Sequence, residues 1–410
     1  MIDRILFDPA NAFFHRIFSG SIWMFVFAHL SHHVITALVV PLLPFIRSDF
    51  KLDYTQSGFV VSAFSLSYGL AQLPAGWLAD RIGPHKLITL SISGVAFAGL
   101  LLGLSHRYLW VIIFLILMGL AGGGYHPAAP PLISASVSPE KRGFALGWHV
   151  VGGSSSYFLS PLIGAFIAGY LGWRGAFITL AVPVMLFGLF FHAVLRRRVN
   201  PAAGSGRSRK GGGAALAPGY SFRPVIAFIF LSTFTSAVLS STISFIPLFM
   251  VDAFQVPEKT AAFFVAIIYS SGLWAGPLGG SLSDRMGRIP VILTICFSTG
   301  PAVYLMNHVP YGIGFGLLLL LMGAILYVRM PVSEAYIVGE VPERFRSTIL
   351  GIYFFCSIEG GGALTPVMGA LVDRFGFHAA FTAAASAVML STFVCSFFLK
   401  AGSKPIPGNR

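Results

Sequence analysis

The chain has 410 residues, of which 56% are hydrophobic and only 10% charged. Soluble domains carry about 25% charged residues, so this composition excludes a chain that covers itself with polar surface in water. The net charge of +13 could suggest a nucleic-acid partner, but the basic residues cluster in alternate loops, which makes them a membrane-topology signal and argues for no nucleic acid.

In chain order, residues 1–18 mix Asp3, Arg4, Asp8, His15 and Arg16 with scattered apolar residues. They read as a short interfacial segment and not as a cleavable leader. Twelve apolar stretches follow, centred near about residues 32, 66, 96, 121, 155, 185, 237, 268, 298, 325, 358 and 387, each long enough to cross a ~30 Å hydrocarbon core. Most Lys and Arg residues fall in loops on one side, including Arg81, Lys86, Arg142, Arg196, Arg197, Arg198, Arg207, Arg209 and Lys210. That bias predicts both termini in the cytoplasm. Cys296, Cys356 and Cys395 lie far apart in apolar segments, so neither a disulfide framework nor a metal spacing follows from them.

Residues 199–222 are rich in Gly, Ala, Ser and basic residues and read as a cytoplasmic linker. On either side of it the chain repeats at an offset of about 204. Gly76-Trp77-Leu78-Ala79-Asp80-Arg81-Ile82-Gly83 returns as Gly280-Ser281-Leu282-Ser283-Asp284-Arg285-Met286-Gly287, and Pro161-Leu162-Ile163-Gly164-Ala165 returns as Pro366-Val367-Met368-Gly369-Ala370. The duplication predicts an all-α integral membrane protein, with twelve transmembrane helices in two pseudo-symmetric six-helix bundles over 1–198 and 223–410. The repeated G-x-L-x-D-R-x-G loop suits a conformational hinge: Gly76, Gly83, Gly280 and Gly287 allow tight turns, and the Asp80-Arg81 and Asp284-Arg285 pairs can hold neighbouring helix ends in one state and release them in another.

With that doubled loop, the chain resembles the major facilitator superfamily of transporters over essentially its whole length. The resemblance implies two bundles rocking about a central cavity lined mainly by spans 1, 4, 7 and 10. The first half is most similar to the fosmidomycin-resistance type of exporter, through Ala28-His29-Leu30, Tyr125-His126-Pro127 and Val151-Gly152-Gly153. His32-His33 stand where those exporters carry Asn-Asp. The glycine-proline pattern of superfamily antiporters in span 5 is represented by Gly147, Ser156, Ser160, Pro161, Gly164 and Ala165, with small residues in place of three glycines.

Ionisable residues inside spans are costly and mark functional sites. In span 1, His29, His32 and His33 fall on one ~100° face at 100° per residue. Span 4 carries Tyr125 and His126 after Gly122-Gly123-Gly124, and the 204 offset places Arg329-Met330-Pro331 at the matching depth of span 10, with Glu334 one turn on. Span 11 holds Glu359 before Gly360-Gly361-Gly362. Broken helices at corresponding positions in two halves point to a substrate site, so Tyr125, His126, Arg329, Glu334, His29 and His33 are the expected substrate contacts. His29, His32 and His33 are the expected proton carriers, in place of the missing acid, with Glu334 and Glu359 as the competing candidates. Arg329 could pair with Glu334 across a kink at Pro331, or with Glu359. His149 and His192 read as hydrogen-bonding residues between helices. His29-Leu30-Ser31-His32-His33 also matches the H-x-x-H-H box of membrane di-iron enzymes, but those need several such boxes, so neither an enzyme nor a cofactor is expected.

The resulting expectation is a monomeric secondary transporter of the bacterial inner membrane, surrounded by lipid, which moves a small organic and anionic solute by proton-coupled efflux. A metal chelate taken by the histidine-rich site, or uptake of a small carboxylate, are the alternatives. No G-x4-G-K-[ST] loop is present, so a gradient and not ATP supplies the energy.

Overall fold

The structure is a computed structural model that describes residues 22–137, 142–198 and 221–400. The expected N-terminal segment and all but the last residues of the linker lie outside these. Every regular element among the described residues is helical. In the first half these are α1 (Ile22–Thr36), α2 (Leu43–Phe50), α3 (Tyr54–Ile82), α4 (Pro84–Gly103), α5 (Tyr108–Gly122), α6 (Tyr125–Ala135) and α7 (Arg142–Arg198). The second half comprises α8 (Arg223–Phe254), α9 (Glu258–Ser270), α10 (Ala275–Met286), α11 (Arg288–Leu305), α12 (Ile313–Glu340) and α13 (Glu343–Lys400).

Local chemistry sets the breaks. Asp53 caps α3 in a reciprocal box: the Gln56 N–H donates to its carboxylate at 2.6 Å, and the Gln56 side chain accepts the Asp53 N–H at 3.2 Å. The α3–α4 turn is Gly83 at φ 89°, and the α10–α11 turn is Gly287 at φ 88°. A side chain is strained there, which is why the repeated loop ends in glycine. Helices α7 and α13 each double back, at Gly172 (φ 70°, ψ 172°) and Gly376 (φ 78°, ψ 169°). Lys51 (φ 54°) and Gln255 (φ 55°) form a third pair. All three pairs are separated by 204 positions, so the repeat seen in the sequence is also a repeat of backbone geometry.

Among the described residues, seven helices are long and apolar enough to cross a membrane, or eight if the bent pair Glu258–Leu273 and Ala275–Met286 counts as one. Two of them, Ala145–Arg196 and Ile349–Leu399, run 52 and 51 residues. At about 1.5 Å per residue each is more than twice the thickness of a ~30 Å core. Large apolar side chains such as Leu73, Phe166, Leu186, Leu317 and Leu390 are exposed on the outer faces. That surface suits hydrocarbon and would aggregate in water. Between the halves, helices approach through glycine: a Cβ on Gly58 of α3 would lie 2.8 Å from the Pro366 backbone of α13, and one on Gly369 would lie 2.3 Å from the Tyr54 carbonyl oxygen.

The halves are tied together at the end away from the linker. Arg47 Nη1 lies 2.5 Å from Asp252 Oδ2 across the two halves, and the Tyr54 hydroxyl donates to the same carboxylate. Asp373 of α13 accepts the backbone N–H groups of Tyr54 and Thr55, both at 2.8 Å, and the Thr55 hydroxyl at 2.6 Å. A carboxylate of the second half thus satisfies the orphan amides at the start of a first-half helix and meets its positive dipole end. At the linker end, among the described residues, a Cβ added at Gly147, Gly280 or Gly351 would meet no atom within 4 Å.

The loss of a helix cap costs about 1 kcal/mol, or roughly a fivefold change in an equilibrium. Asp373→Ala is therefore expected to favour the state open at this end. In protein lacking the native cysteines, Ser240→Cys in the cavity wall should react several times faster with an impermeant maleimide applied from this side. An unchanged labelling rate would remove Asp373 from the closure.

Candidate functional site

Four elements of the first half converge on a buried aromatic and imidazole cluster. Helix α1 supplies His29, His32 and His33, each 6% exposed or less. The turn at Gly123-Gly124 separates α5 from α6, so that Tyr125 and His126 open a new helix deep in the bundle. Glycine is required at that break: a Cβ on Gly123 would sit 2.6 Å from the Tyr68 carbonyl oxygen, and one on Gly124 would sit 2.6 Å from Leu87. Helix α7 adds His149, Gly153 and Tyr157, and α3 adds Tyr68.

The rings are ordered by stacking and by hydrogen bonds. His149 stacks on His29 at 4.1 Å between centroids, and Tyr125 stacks on His32 at 4.4 Å. His29 Nδ1 donates to the His149 main-chain carbonyl at 2.7 Å. His32 Nε2 lies 3.1 Å from the Tyr68 hydroxyl, and His149 Nε2 lies 3.1 Å from the Tyr125 hydroxyl. His33 Nδ1 meets Thr36 Oγ1 at 3.3 Å, while its Nε2 faces His126 Nε2, also at 3.3 Å. One ring nitrogen from each of His29, His33 and His126 falls within 4.8 Å of the others. Gly153 makes room for this, since a Cβ there would lie 2.4 Å from the His29 ring.

His149 is thus part of the cluster through both its carbonyl and its ring, beyond the helix-to-helix bond expected of it. Its separation from the other histidines in sequence, and the lack of any motif around it, hid that role. Tyr68 and Tyr157 carry no sequence signal either. His192 bonds the Thr89 hydroxyl at 3.0 Å, away from the cluster.

The second half is built differently. Arg329 of α12 is 4% exposed. Its Nη1 donates to Ser232 Oγ at 2.9 Å, to the Tyr353 hydroxyl at 3.0 Å and to the Ser232 carbonyl at 3.3 Å, and its Nη2 donates to Ser236 Oγ at 2.8 Å. Every partner is neutral. Neither of the ion pairs considered from the sequence forms: the two ion pairs among the described residues are Arg47–Asp252 and Arg174–Asp49. Glu334 is half-buried and forms no ion pair with Arg329. Glu359 points into the other half instead. It is 3% exposed, neither carboxyl oxygen has a hydrogen-bond partner, and a Cβ on Gly69 of α3 would fall 1.9 Å from its carboxyl carbon.

A cavity of about 210 Å³ lies between the halves, with His33, Tyr68, Tyr157, Ser240, Tyr269 and Thr365 among its walls. Tyr157 and Tyr269 touch across it, with centroids 5.4 Å apart. Tyr125 sits behind the histidines, and Arg329 and Glu334 lie outside the walls. Of the repeated loop, Asp284 and Arg285 are exposed, and the Arg81 guanidinium lies over the Trp77 ring at 4.1 Å. The Gly76 and Asp80 contacts lie outside what is described.

A sequence profile of the Major Facilitator Superfamily matches residues 25–366 and, separately, 229–410. The chain is 27% identical over 367 residues to multidrug resistance protein MdtG of Citrobacter koseri, covering 87% of this chain and 89% of that one. It is 26% identical to the protein of the same name from Escherichia coli strain K12, covering 87% and 88%. Among solved structures, an inward-facing bacterial homologue of the lysosomal transporter Spinster superposes with a TM-score of 0.70 at 19% identity over 93% of this chain and 94% of that chain. A POT family transporter in complex with 5-aminolevulinic acid superposes with a TM-score of 0.76 at 12% identity over 93% and 96%. The profile match from end to end, on a helical fold repeated about one linker, means that the chain belongs to the Major Facilitator Superfamily.

Proposed function

We propose that the protein is a twelve-span secondary transporter that exports a small organic anion across the bacterial inner membrane by alternating access. Counting α1 with α2, α5 with α6 and α9 with α10 as single crossings, and α7 and α13 as two each, gives six spans per half. The basic loops and linker favour termini in the cytoplasm. The observation that carries this reading is the cavity between two repeated halves that polar contacts hold together at one end, since alternating access needs a central site closed by contacts that can be made and released. The relatives named as multidrug resistance proteins favour export.

Two groups give the cycle its selectivity and its coupling. Arg329 is a guanidinium met only by neutral oxygens and lies outside the cavity walls in this state, so an anion that reaches it in another state of the cycle gains a charge-assisted pair without displacing a carboxylate. Glu359 is the proton carrier. A buried carboxylate without partners is costly, and the acid side chain is wedged against Gly69 where the halves meet. Loss of its proton would therefore favour separation of α3 from α13, which ties protonation to the motion of the gate.

Arg329→Ala is expected to lower the export of an anionic substrate into inverted vesicles by about tenfold or more in kcat/KM. Arg329→Lys should recover only part of this, because an ammonium loses the planar two-pronged geometry. Normal export of the anion by Arg329→Ala would rule out this charge selection.

For the proton, Glu359→Gln should keep substrate exchange at equilibrium while abolishing transport driven by a pH gradient. If Glu359→Gln retains full dependence on the gradient in proteoliposomes, the carrier lies elsewhere.

A further inference from the structure

Three of the buried histidines have a chemistry that hydrogen bonding among themselves does not explain. A carbonyl oxygen can only accept, so the 2.7 Å contact with the His149 main chain fixes the proton of neutral His29 on Nδ1. Its Nε2 is then a lone pair, and that atom is buried with no partner. His33 Nδ1 lies 3.3 Å from Thr36 Oγ1, and its Nε2 faces His126 Nε2 at 3.3 Å. Between two neutral imidazoles only one of those facing nitrogens carries a proton, so the other is a lone pair. One ring nitrogen from each of His29, His33 and His126 lies within 4.8 Å of the others.

We infer that His29, His33 and His126 form a binding site for a divalent first-row transition metal ion, with an open coordination position towards the central cavity. At a metal–nitrogen bond of about 2.0–2.1 Å, tetrahedral ligands stand roughly 3.3 Å apart. The His33–His126 spacing already has that value, and small ring rotations bring in His29. Each ligand whose tautomer is fixed donates its other N–H to an oxygen, the arrangement that orients imidazoles on a metal. Three imidazoles with neither thiolate nor carboxylate select Zn²⁺, Co²⁺, Ni²⁺ or Cu²⁺ over Mg²⁺ or Ca²⁺. His33 is also a wall of the cavity, so the fourth position is accessible to water or to a donor atom of a transported molecule. In binding, the metal takes the place of the proton shared between His33 and His126, and that proton moves to the Nδ1 of the same ring that carried it, which leaves both imidazoles neutral. The site stands on tautomers and distances and does not depend on the direction or substrate of transport.

The test uses full-length protein purified with a tag free of histidine, stripped with chelator and dialysed against Zn²⁺, with bound metal counted by mass spectrometry and Co²⁺ followed by its visible ligand-field bands. About one ion per chain is expected. His33→Ala and His126→Ala should each weaken binding by tenfold or more, and the near-isosteric Thr36→Val by about tenfold, through loss of the oxygen that orients His33. His126→Cys should keep Zn²⁺ and shift the Co²⁺ spectrum towards sulfur coordination, which an unfolded variant would not do. His192→Ala should bind as the unsubstituted protein does. A monodisperse protein that binds no stoichiometric Zn²⁺, or binding that survives replacement of all three histidines by alanine, overturns the site.

Discussion

The Asp373 carboxylate, lodged against the first amides of α3, is the contact on which the observed arrangement depends. It joins a negative charge of one half to the positive helix end of the other, in a fold whose halves otherwise touch mainly through small residues and apolar rings. At the same interface Gly58 and Gly369 come into backbone contact with the facing helix, and Glu359 is pressed onto Gly69. The burial of the acid is thus a consequence of the closure at the far end of the same helix pair. Mechanical coupling along α3 and α13 requires no further device.

The two halves share a backbone plan but handle buried polarity in opposite ways. In the first, histidines are paired with carbonyl, hydroxyl and ring partners, which lets them stay neutral in an apolar setting. In the second, one guanidinium is solvated by serine and tyrosine hydroxyls. A duplicated scaffold supplies equivalent depths, and divergence of the side chains at those depths makes one side a lone-pair donor and the other a charge. Tyr125-His126-Pro127 and Arg329-Met330-Pro331 are the clearest instance, since the same break in two helices presents an imidazole in one half and a cation in the other.

The fold was legible because its signals are local or periodic. Apolar stretches, a basic linker and a repeated loop can each be read without knowing what touches what, and the 204-residue repeat even anticipated the paired turns at Gly83 and Gly287. The polar site was legible only in part. His29, His32 and His33 sit on one helical face and could be grouped from spacing, but the contacts of His149 come from a helix 120 positions away and leave no pattern in sequence. The partner of Arg329 was sought among the acids of α12 and α13, because opposite charge is the only partnership that composition suggests. Hydroxyls from α8 took that place, and a serine in an apolar run carries no mark of the guanidinium it will face.

The closure also has a particular geometry. Asp373 receives three hydrogen bonds and Asp252 receives another, and all four come from the adjacent residues Tyr54 and Thr55. A displacement of the tip of α3 by little more than one residue's rise, about 1.5 Å, would stretch every one of them beyond bonding distance together. The contacts of this helix tip are therefore made and lost as one unit. The Arg47–Asp252 pair, which comes from α2, then still spans this end, so among the described residues a small tilt of one helix tip leaves the closure with a single ion pair.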